Sequence, residues 1–315
     1  MKIAFLVNSM IRKLEAVRKN IESEFKEHEV KFFLSEHAGH IFSLAQTAIS
    51  RGFDHIIVVG GDGTLNEAIN GIVDSFKTGL SNTPDAAYDW DKIKQIKVGV
   101  YPAGSGNDFV KTIYQDTELK TLKKLVQNNS SKLIDIGWVS FFKPDGQAST
   151  RFYLNITDVG MGGETVYKKN KLPKWLGADF SYFWSITSTV ATYQNYQVRA
   201  YNDNFEWTGK VMNMVVANGK YFGNGLGIAP DAEVTDGKFS FVIIGDITLL
   251  DYLQNLGTVK KAQKIDHAKI EYHNLDKVSI ESQDSRKLSI DMDGEFIGYA
   301  PMTLICLQQK INFIS

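Results

Sequence analysis

The sequence predicts two domains: an α/β domain with a doubly wound parallel sheet, followed by an antiparallel β-sandwich. The chain has 315 residues, whereas single hydrophobic cores tend to stop growing at roughly 250–300 residues. Strand and helix patterns alternate in the first half of the chain, and after Gly137 strands follow one another with turns between them. We therefore assign residues 1–137 and 138–301 to the two domains, with residues 302–315 as a candidate segment for return to the first.

Each element of the first domain is predicted from its apolar pattern. The continuous apolar run at 3–7, typical of a parallel strand buried on both faces, predicts a first strand, and further strands are expected at 30–34, 55–59, 98–101 and 132–136. Helical spacing predicts helices at 11–25, 41–49, 65–73 and 117–127. Residues 74–95 break this pattern and are interpreted as a polar surface insertion without assigned chemistry. In such a sheet, ligands bind where strands end and helices begin.

The second domain is predicted as a run of strands interrupted by one helix. The strands are expected at 151–159, 196–202, 210–217, 238–244, 268–272, 277–281 and 287–291, and the helix at 178–192. The helix carries the aromatic residues Tyr182, Phe183 and Trp184, and Trp175 precedes it. These side chains form either the core of the helix, the favoured interpretation, or a surface for acyl chains or membrane.

Composition excludes several classes of protein. Lys and Arg number 35 against 36 Asp and Glu, so no charge excess indicates nucleic acid as the main partner. Cys306 is the only cysteine, which excludes a disulfide or thiolate zinc site within one chain and fits a reducing cytosol. The first apolar run is too short for a signal peptide, and no run is long enough for a spanning helix. We expect a cytoplasmic protein whose contact with membranes is peripheral.

A glycine-rich loop, Gly60-Gly61-Asp62-Gly63-Thr64-Leu65-Asn66-Glu67, follows a buried strand and precedes a helix expected to begin near Leu65. Glycines let backbone N–H groups approach phosphate oxygens, and the helix start adds a positive end, so the loop predicts a triphosphate site. The alternative is a tight turn with Thr64 as helix cap. The P-loop and the dinucleotide fingerprint are both excluded, because neither pattern is present.

A second loop, Gly104-Ser105-Gly106-Asn107-Asp108-Phe109, follows the next strand. Ser105 offers a hydroxyl to a phosphate or a ribose. Alone this loop is a common turn, but loops at consecutive strand ends of one parallel sheet converge on the same crevice. Each loop therefore strengthens the interpretation of the other.

Two carboxylate motifs lie later in the chain. Asp293-Gly294 predicts a two-residue hairpin turn that holds Glu295 on a rigid element, where its carboxylate could take the proton of an attacking hydroxyl. The alternative is an exposed hairpin with solvated acids. Asp135 lies inside an apolar strand, where a charge is costly unless it is paired or hydrated beside a metal. A bond to the interdomain turn is an equally good account of Asp135.

Together, the two glycine loops and Asp293-Gly294-Glu295 resemble the diacylglycerol kinase catalytic-domain family, which includes bacterial lipid kinases and is related to sphingosine and ceramide kinases. The resemblance implies a Rossmann-like nucleotide domain, a C-terminal β-sandwich and an active site in the cleft between them. It implies Glu295 as catalytic base, supported by a network of Asp62, Asp135 and Asp293. It also implies these ATP-binding residues: Asn8, Ser35, Gly60, Gly61, Asp62, Gly63, Thr64, Leu65, Asn66, Glu67 and Ser105.

The same resemblance implies a structural Mg²⁺ held by the side chain of Asp236 and the backbone carbonyls of Glu233 and Lys238. Oxygen ligands completed by water suit this ion. The alternative is a plain turn. The chain departs from the family after Asn8, where Ser9-Met10-Ile11-Arg12 replaces the usual proline and glycine, so the details of this ATP-contacting loop stay open.

We therefore predict a Mg²⁺-dependent kinase that transfers the γ-phosphate of ATP to a lipid hydroxyl at a membrane surface. Diacylglycerol is the expected acceptor and phosphatidic acid the product. The alternatives are an NAD kinase-like phosphotransferase, whose glycine loop is similar, and a non-catalytic nucleotide- or lipid-binding regulator, which would not need Glu295. The sequence does not determine the oligomeric state, and a homodimer is one option.

Overall fold

The structure is a computed structural model that describes residues 1–79, 81, 83–172, 188–189 and 192–315. The chain divides into two compact units. Unit 1 comprises Met1–Ile136, Val234–Gly237 and Leu307–Ser315, and unit 2 comprises Gly137–Glu233 and Lys238–Cys306. Most of the helix predicted at 178–192 lies outside the described residues, as do Trp175, Tyr182, Phe183 and Trp184.

Unit 1 contains the predicted parallel sheet. Its strands are β1 (Lys2–Val7), β2 (Glu29–Leu34), β3 (His55–Gly60) and β4 (Lys97–Pro102). The end of the last strand, β15 (Glu295–Phe313), joins the sheet through residues Asn312 and Phe313, so the order is β2-β1-β3-β4-β15 with parallel neighbours. All of β3 and all of β1 except Lys2 are buried, as their continuous apolar runs predict.

Helices of unit 1 follow the strands, and several of them differ from the prediction. They are α1 (Leu14–Glu24), α2 (His40–Ser50), α3 (Asp62–Asp74), α4 (Pro84–Ala87), α5 (Trp90–Ile93), α6 (Asp108–Ile113) and α7 (Leu119–Gln127). Helix α3 begins at Asp62, three residues before the expected start, and α6 was not predicted. The segment 74–95 is not simply a polar insertion, because Pro84, Ala87, Trp90 and Ile93 are buried on its two short helices.

Unit 2 is built from antiparallel strands. They are β5 (Lys132–Phe142, which begins in unit 1), β6 (Ala148–Tyr153), β7 (Ile156–Gly160), β8 (Tyr196–Tyr201), β9 (Glu206–Val211), β10 (Asn213–Ala217), β11 (Phe239–Ile244), β12 (Ile270–Leu275), β13 (Lys277–Ser282), β14 (Ser289–Met292) and the first part of β15. One path of neighbouring strands runs β12-β11-β10-β7-β14-β15. Alternate residues of β10 enter two different hydrophobic clusters, because both faces of this sheet are covered.

The strand prediction for unit 2 needs two corrections. The strand expected at 151–159 is two strands, β6 and β7, and the one expected at 210–217 includes the end of β9 and all of β10. Two helices that were not predicted, α8 (Met161–Lys171) and α9 (Leu249–Lys260), lie between the strands. No helix among the described residues is long and apolar enough to cross a membrane.

Candidate functional site

The glycine loop of unit 1 forms the start of α3. Gly61 has extended backbone and precedes the helix, and the Leu65 N–H donates to the Gly61 carbonyl at 3.0 Å. Thr64 is therefore not the helix cap but a buried member of the first turn. The first N–H groups of a helix have no partner within it, so the positive end of α3 coincides with the glycines. This arrangement can bind the oxygens of a phosphate group.

The second glycine loop packs directly against the first. A Cβ placed on Gly104 would lie 2.4 Å from Cα of Gly61, a separation that no side chain tolerates. The Ala103 N–H donates to the Gly60 carbonyl at 2.9 Å. The structure thus brings the two predicted loops together at the carboxyl ends of β3 and β4, and only glycine allows their backbones to approach so closely.

Asn107 shapes the second loop. Its φ of 51° lies in the left-handed region, which asparagine tolerates better than most residues. Its Oδ1 accepts the Gly104 N–H at 3.0 Å, and its Nδ2 donates to the Gly104 carbonyl at 2.8 Å. Ser105 is left exposed at the tip of the loop.

Asp62 connects the two loops. Its carboxylate accepts the backbone N–H groups of Asp108 at 2.9 Å and Phe109 at 3.0 Å, which are the first residues of α6. Burial raises the pKa of Asp62, and these two N–H groups oppose the rise. The carboxylate of Asp62 is therefore engaged by backbone, and it holds α6 against the glycine loop.

Three predicted ATP-binding side chains hold neighbouring loops at the same edge of the sheet. Asn8 follows β1, and its Nδ2 donates to Oγ1 of Thr64 at 3.1 Å. Ser35 follows β2, and its Oγ accepts the Ser9 N–H at 3.1 Å. Glu67 accepts the Gly39 N–H at 3.0 Å. The loops after β1, β2 and β3 are thus tied to one another by side chains.

Asp135 is fully buried and joins three segments of unit 1. Its two carboxylate oxygens accept the N–H groups of Gly237 and Gln309, each at 2.7 Å, and its own N–H donates to the Val234 carbonyl. Burial raises its pKa, and the two N–H groups oppose the rise. The bond to Gly237 agrees with the interpretation of Asp135 as bonded to a turn, although the turn is a distant one.

The hairpin predicted in unit 2 is present. Asp293 and Gly294 have φ values of 51° and 82°, as a two-residue type I′ turn requires. Oδ1 of Asp293 accepts the Ile156 N–H at 3.0 Å, and the Asp293 N–H donates to the Ile156 carbonyl at 3.0 Å. Glu295 is the first residue of β15 and sits on a turn that is anchored to β7.

Glu295 forms an ion pair that sequence reasoning did not find. Its Oε2 lies 3.0 Å from Nη2 of Arg151, with side chains 44% and 24% exposed. The two residues are 144 positions apart. No local pattern marks Arg151 as a partner of Glu295, because the contact arises only when β6 and β15 fold together.

Asp158 was not predicted as a buried acid. It is fully buried on β7 and lies directly opposite Asp291 of β14. Burial raises the pKa of Asp158 to about 7, while the side chain of Asn213 and the N–H of Gly163 oppose the rise. The sequence signal for Asp158 was an acid within the apolar run of a predicted strand. The same kind of signal identified Asp135.

The residues predicted to hold Mg²⁺ lie on one exposed segment. Glu233, Asp236 and Lys238 are exposed, and Gly237 between them has a φ of 74°. One carboxylate and two carbonyls are chemically suitable for Mg²⁺ completed by water. The described residues contain no group of three or more His, Cys, Asp or Glu side chains placed to hold a metal ion. A site with one carboxylate is compatible with that finding.

Two family models together match most of the chain. Residues 2–139 match the diacylglycerol kinase catalytic domain, and residues 158–315 match the YegS C-terminal NAD kinase beta sandwich-like domain. A diacylglycerol kinase of Staphylococcus carnosus (strain TM300) is 25% identical over 285 residues, which is 90% of this chain and 84% of the relative. A diacylglycerol kinase of Bacillus subtilis (strain 168) is 26% identical over 280 residues, covering 88% and 82%.

Solved structures show the same fold. A diacylglycerol kinase from Bacillus anthracis str. Sterne superimposes with a TM-score of 0.67 at 18% identity, covering 99% of this chain and 96% of that one. Yeast NADH kinase complexed with NADH gives a TM-score of 0.53 at 9% identity, covering 99% and 82%. The predicted fold class, an α/β domain followed by a β-sandwich-like domain, is confirmed.

The fold, an α/β domain followed by an NAD kinase-like β-sandwich domain, is that of the matched family models and the solved structures. The chain belongs to the diacylglycerol kinase catalytic-domain family. It is therefore a lipid kinase, and the predicted family is confirmed.

Proposed function

We propose that this lipid kinase transfers the γ-phosphate of ATP to the hydroxyl of diacylglycerol and forms phosphatidic acid. The observation that carries the proposal is the contact between Gly61 and Gly104 at the start of α3. It supports a phosphate site made of backbone N–H groups, which suits a nucleotide triphosphate. The relatives are named diacylglycerol kinases, and we choose diacylglycerol as the acceptor on the basis of that name.

In the proposed complex, residues 60–67 and Ser105 bind ATP, while Asn8 and Ser35 also hold the surrounding loops in place. The backbone of Gly61–Thr64 would take the phosphate oxygens, because its N–H groups begin α3. Asp62 already binds the backbone of α6. We therefore assign Asp62 to the shape of the site, with any role toward Mg²⁺ exerted through water.

A structural Mg²⁺ is proposed to be held by Asp236 and the carbonyls of Glu233 and Lys238, while Asp62, Asp135 and Asp293 form the network that supports Glu295. The Mg²⁺ that accompanies ATP would offset phosphate charge, which this chain needs because it has no P-loop lysine. Asp135 and Asp293 contribute by ordering the backbone around Gly237 and Ile156.

Glu295 is proposed as the general base. Its side chain is 44% exposed, so a substrate hydroxyl can reach it, and one oxygen is bound by Arg151. The other oxygen would accept the hydroxyl proton while the hydroxyl oxygen attacks the γ-phosphorus and ADP leaves in line. The hairpin that carries Glu295 fixes its backbone for this step.

A substrate panel tests the proposal. The purified full chain is incubated with labelled ATP, Mg²⁺ and diacylglycerol, sphingosine, ceramide, phosphatidylglycerol or NAD, with lipids in mixed micelles. We expect labelled phosphatidic acid from diacylglycerol. Transfer to NAD alone would identify an NAD kinase, and ATP binding without transfer to any acceptor would identify a regulator.

Removal of the base tests the mechanism. We expect Glu295→Ala to lower kcat by roughly 10²–10⁴-fold, the usual contribution of a general base. The affinity for ATP should stay nearly unchanged, because Glu295 is not part of the glycine loops. Glu206→Ala is the matched control, since Glu206 is also a partly exposed glutamate paired with an arginine of unit 2. Undiminished turnover by Glu295→Ala would remove Glu295 from the mechanism.

A further inference from the structure

We propose that Arg151 is a positioning residue, which holds the carboxylate of Glu295 in the orientation that accepts the substrate proton. The inference rests on the proposed function of Glu295 and adds a residue that neither the motifs nor the family models assign. It concerns unit 2 alone.

The geometry of the pair supports this role. Arg151 lies in β6, opposite Val139 of β5, so its backbone is part of a paired strand. Its Nη2 lies 3.0 Å from Oε2 of Glu295. Among the described residues, no other hydrogen bond or ion pair reaches the Glu295 carboxylate. Oε1 is thus left to accept a proton while Oε2 is held.

The turn alone cannot orient this carboxylate. Asp293 is bonded to Ile156 through both its side chain and its backbone, which fixes the start of β15. The side chain of a glutamate nevertheless keeps three torsions, and each can place the carboxylate elsewhere. An arginine with planar, directed N–H groups restricts these torsions more than a lysine does.

A purely structural ion pair is the competing explanation, and it predicts a different result. Partly exposed ion pairs contribute little to stability, so loss of Arg151 should change the melting temperature only slightly. Misplacement of a catalytic group, by contrast, reduces the rate strongly. The positioning role therefore predicts a large loss of kcat with little change in KM or in stability.

The chain offers a matched control. Arg199 of β8 also pairs with a partly exposed glutamate of unit 2, with Nε 2.8 Å from Oε1 of Glu206. Arg199 lies outside the site proposed here. The same substitution at both arginines thus separates loss of an ion pair from loss of orientation at Glu295.

The first experiment compares steady-state kinetics and melting temperatures of three variants. For Arg151→Gln we expect kcat to fall roughly tenfold to hundredfold, with KM for ATP and lipid within about twofold of wild type. Arg151→Lys should recover part of the loss, because it keeps a cation of similar length. Arg199→Gln should match wild type. A wild-type kcat for Arg151→Gln would overturn the proposal.

A double-mutant cycle tests whether Arg151 acts through Glu295. Glu295→Asp shortens the side chain and draws the carboxylate away from Arg151. In that background we expect Arg151→Gln to reduce kcat less than about threefold, since coupled residues are not additive. A reduction as large as in the wild-type background would assign Arg151 a role that does not involve Glu295, and the inference would fail.

Crystal structures of the wild type and Arg151→Gln give a readout that does not depend on activity. The Glu295 carboxylate should leave its wild-type position in the variant, and an unchanged position would overturn the inference. A wild type that phosphorylates no lipid would contradict the proposed function, and this outcome is distinct from a failure of the Arg151 inference. Should Arg151→Gln not fold, Arg151→Lys decides: a kcat at least roughly threefold below wild type with unchanged KM supports positioning, and a wild-type kcat overturns it.

Discussion

The glycine loops of unit 1 and the Glu295 hairpin of unit 2 use acidic side chains in opposite ways. In unit 1, the carboxylates of Asp62 and Asp135 each accept two backbone N–H groups. In unit 2, Glu295 is 44% exposed and its partner is a side chain, Arg151. The first arrangement shapes backbone, and the second keeps a carboxylate accessible.

This difference follows from the chemical role proposed for each region. A phosphate site made of N–H groups depends on the exact course of the backbone, so its acids serve best as supports. A general base must meet a hydroxyl, and therefore needs an oxygen that no backbone group occupies. Four measurements test this difference between the two regions. The first is the loss of kcat in Glu295→Ala described above, and three further measurements follow.

Gly104→Ala tests whether phosphate binding depends on contact between the loops. The new Cβ would lie 2.4 Å from Cα and 2.9 Å from N of Gly61, and neither backbone atom can move freely. We expect ATP affinity to fall roughly tenfold to hundredfold, because displacement of about 1 Å at a site has effects of that size. Isothermal titration with ATP and Mg²⁺ measures it. Gly79→Ala is the control, since its Cβ would meet nothing within 4 Å. Equal ATP affinities of Gly104→Ala and the wild type would contradict a phosphate site that depends on contact between the two loops.

Asp135→Ala tests the supporting role of the acids in unit 1. Loss of the carboxylate leaves the N–H groups of Gly237 and Gln309 without their acceptor. We expect unfolding to become easier by roughly 3–5 kcal/mol, as for removal of a buried charged partner. Asp135→Asn keeps one acceptor oxygen, so its free energy of unfolding should fall less than that of Asp135→Ala. Denaturant unfolding measures both, and a loss below about 1 kcal/mol for Asp135→Ala would show that these bonds do not support unit 1.

Asp158→Asn tests an acid of unit 2 that departs from the comparison, because Asp158 is fully buried like Asp135 of unit 1. Its pKa in the folded protein is raised to about 7, so the protonated form is the one that folding favours. The protonated Asp158 carboxyl therefore stabilises the folded protein at low pH, and this stabilisation is lost as the pH rises through about 7. We expect the wild type to lose roughly 2–3 kcal/mol relative to Asp158→Asn between pH 5 and pH 8.

Unfolding midpoints of both proteins at a series of pH values measure this difference. A wild type that gains stability relative to the variant over the same range would mean that the Asp158 carboxylate is stabilised in the folded state.

Local patterns predicted much of unit 1. The buried strands before Gly60 and Pro102 and the convergence of the two loops followed from apolar runs and glycine positions. The start of α3 was misplaced, since Asp62 and Gly63 look like turn residues and Thr64 like a helix cap, whereas Thr64 is buried in the first turn of the helix. The helices α8 and α9 were missed because strand signals dominated the second half.

The hairpin at Asp293-Gly294 was predictable because its turn chemistry is local, while the contact of Glu295 with Arg151 was not. Apolar patterns and motifs were enough to predict the two sheet types, the glycine loops, the family and the proposed base. Which acids are bound by backbone and which stay accessible depended on contacts that form only in the folded chain. Apolar periodicity and turn residues act within a few positions along the chain, whereas hydrogen bonds to Asp62, Asp135 and Glu295 join residues far apart in it.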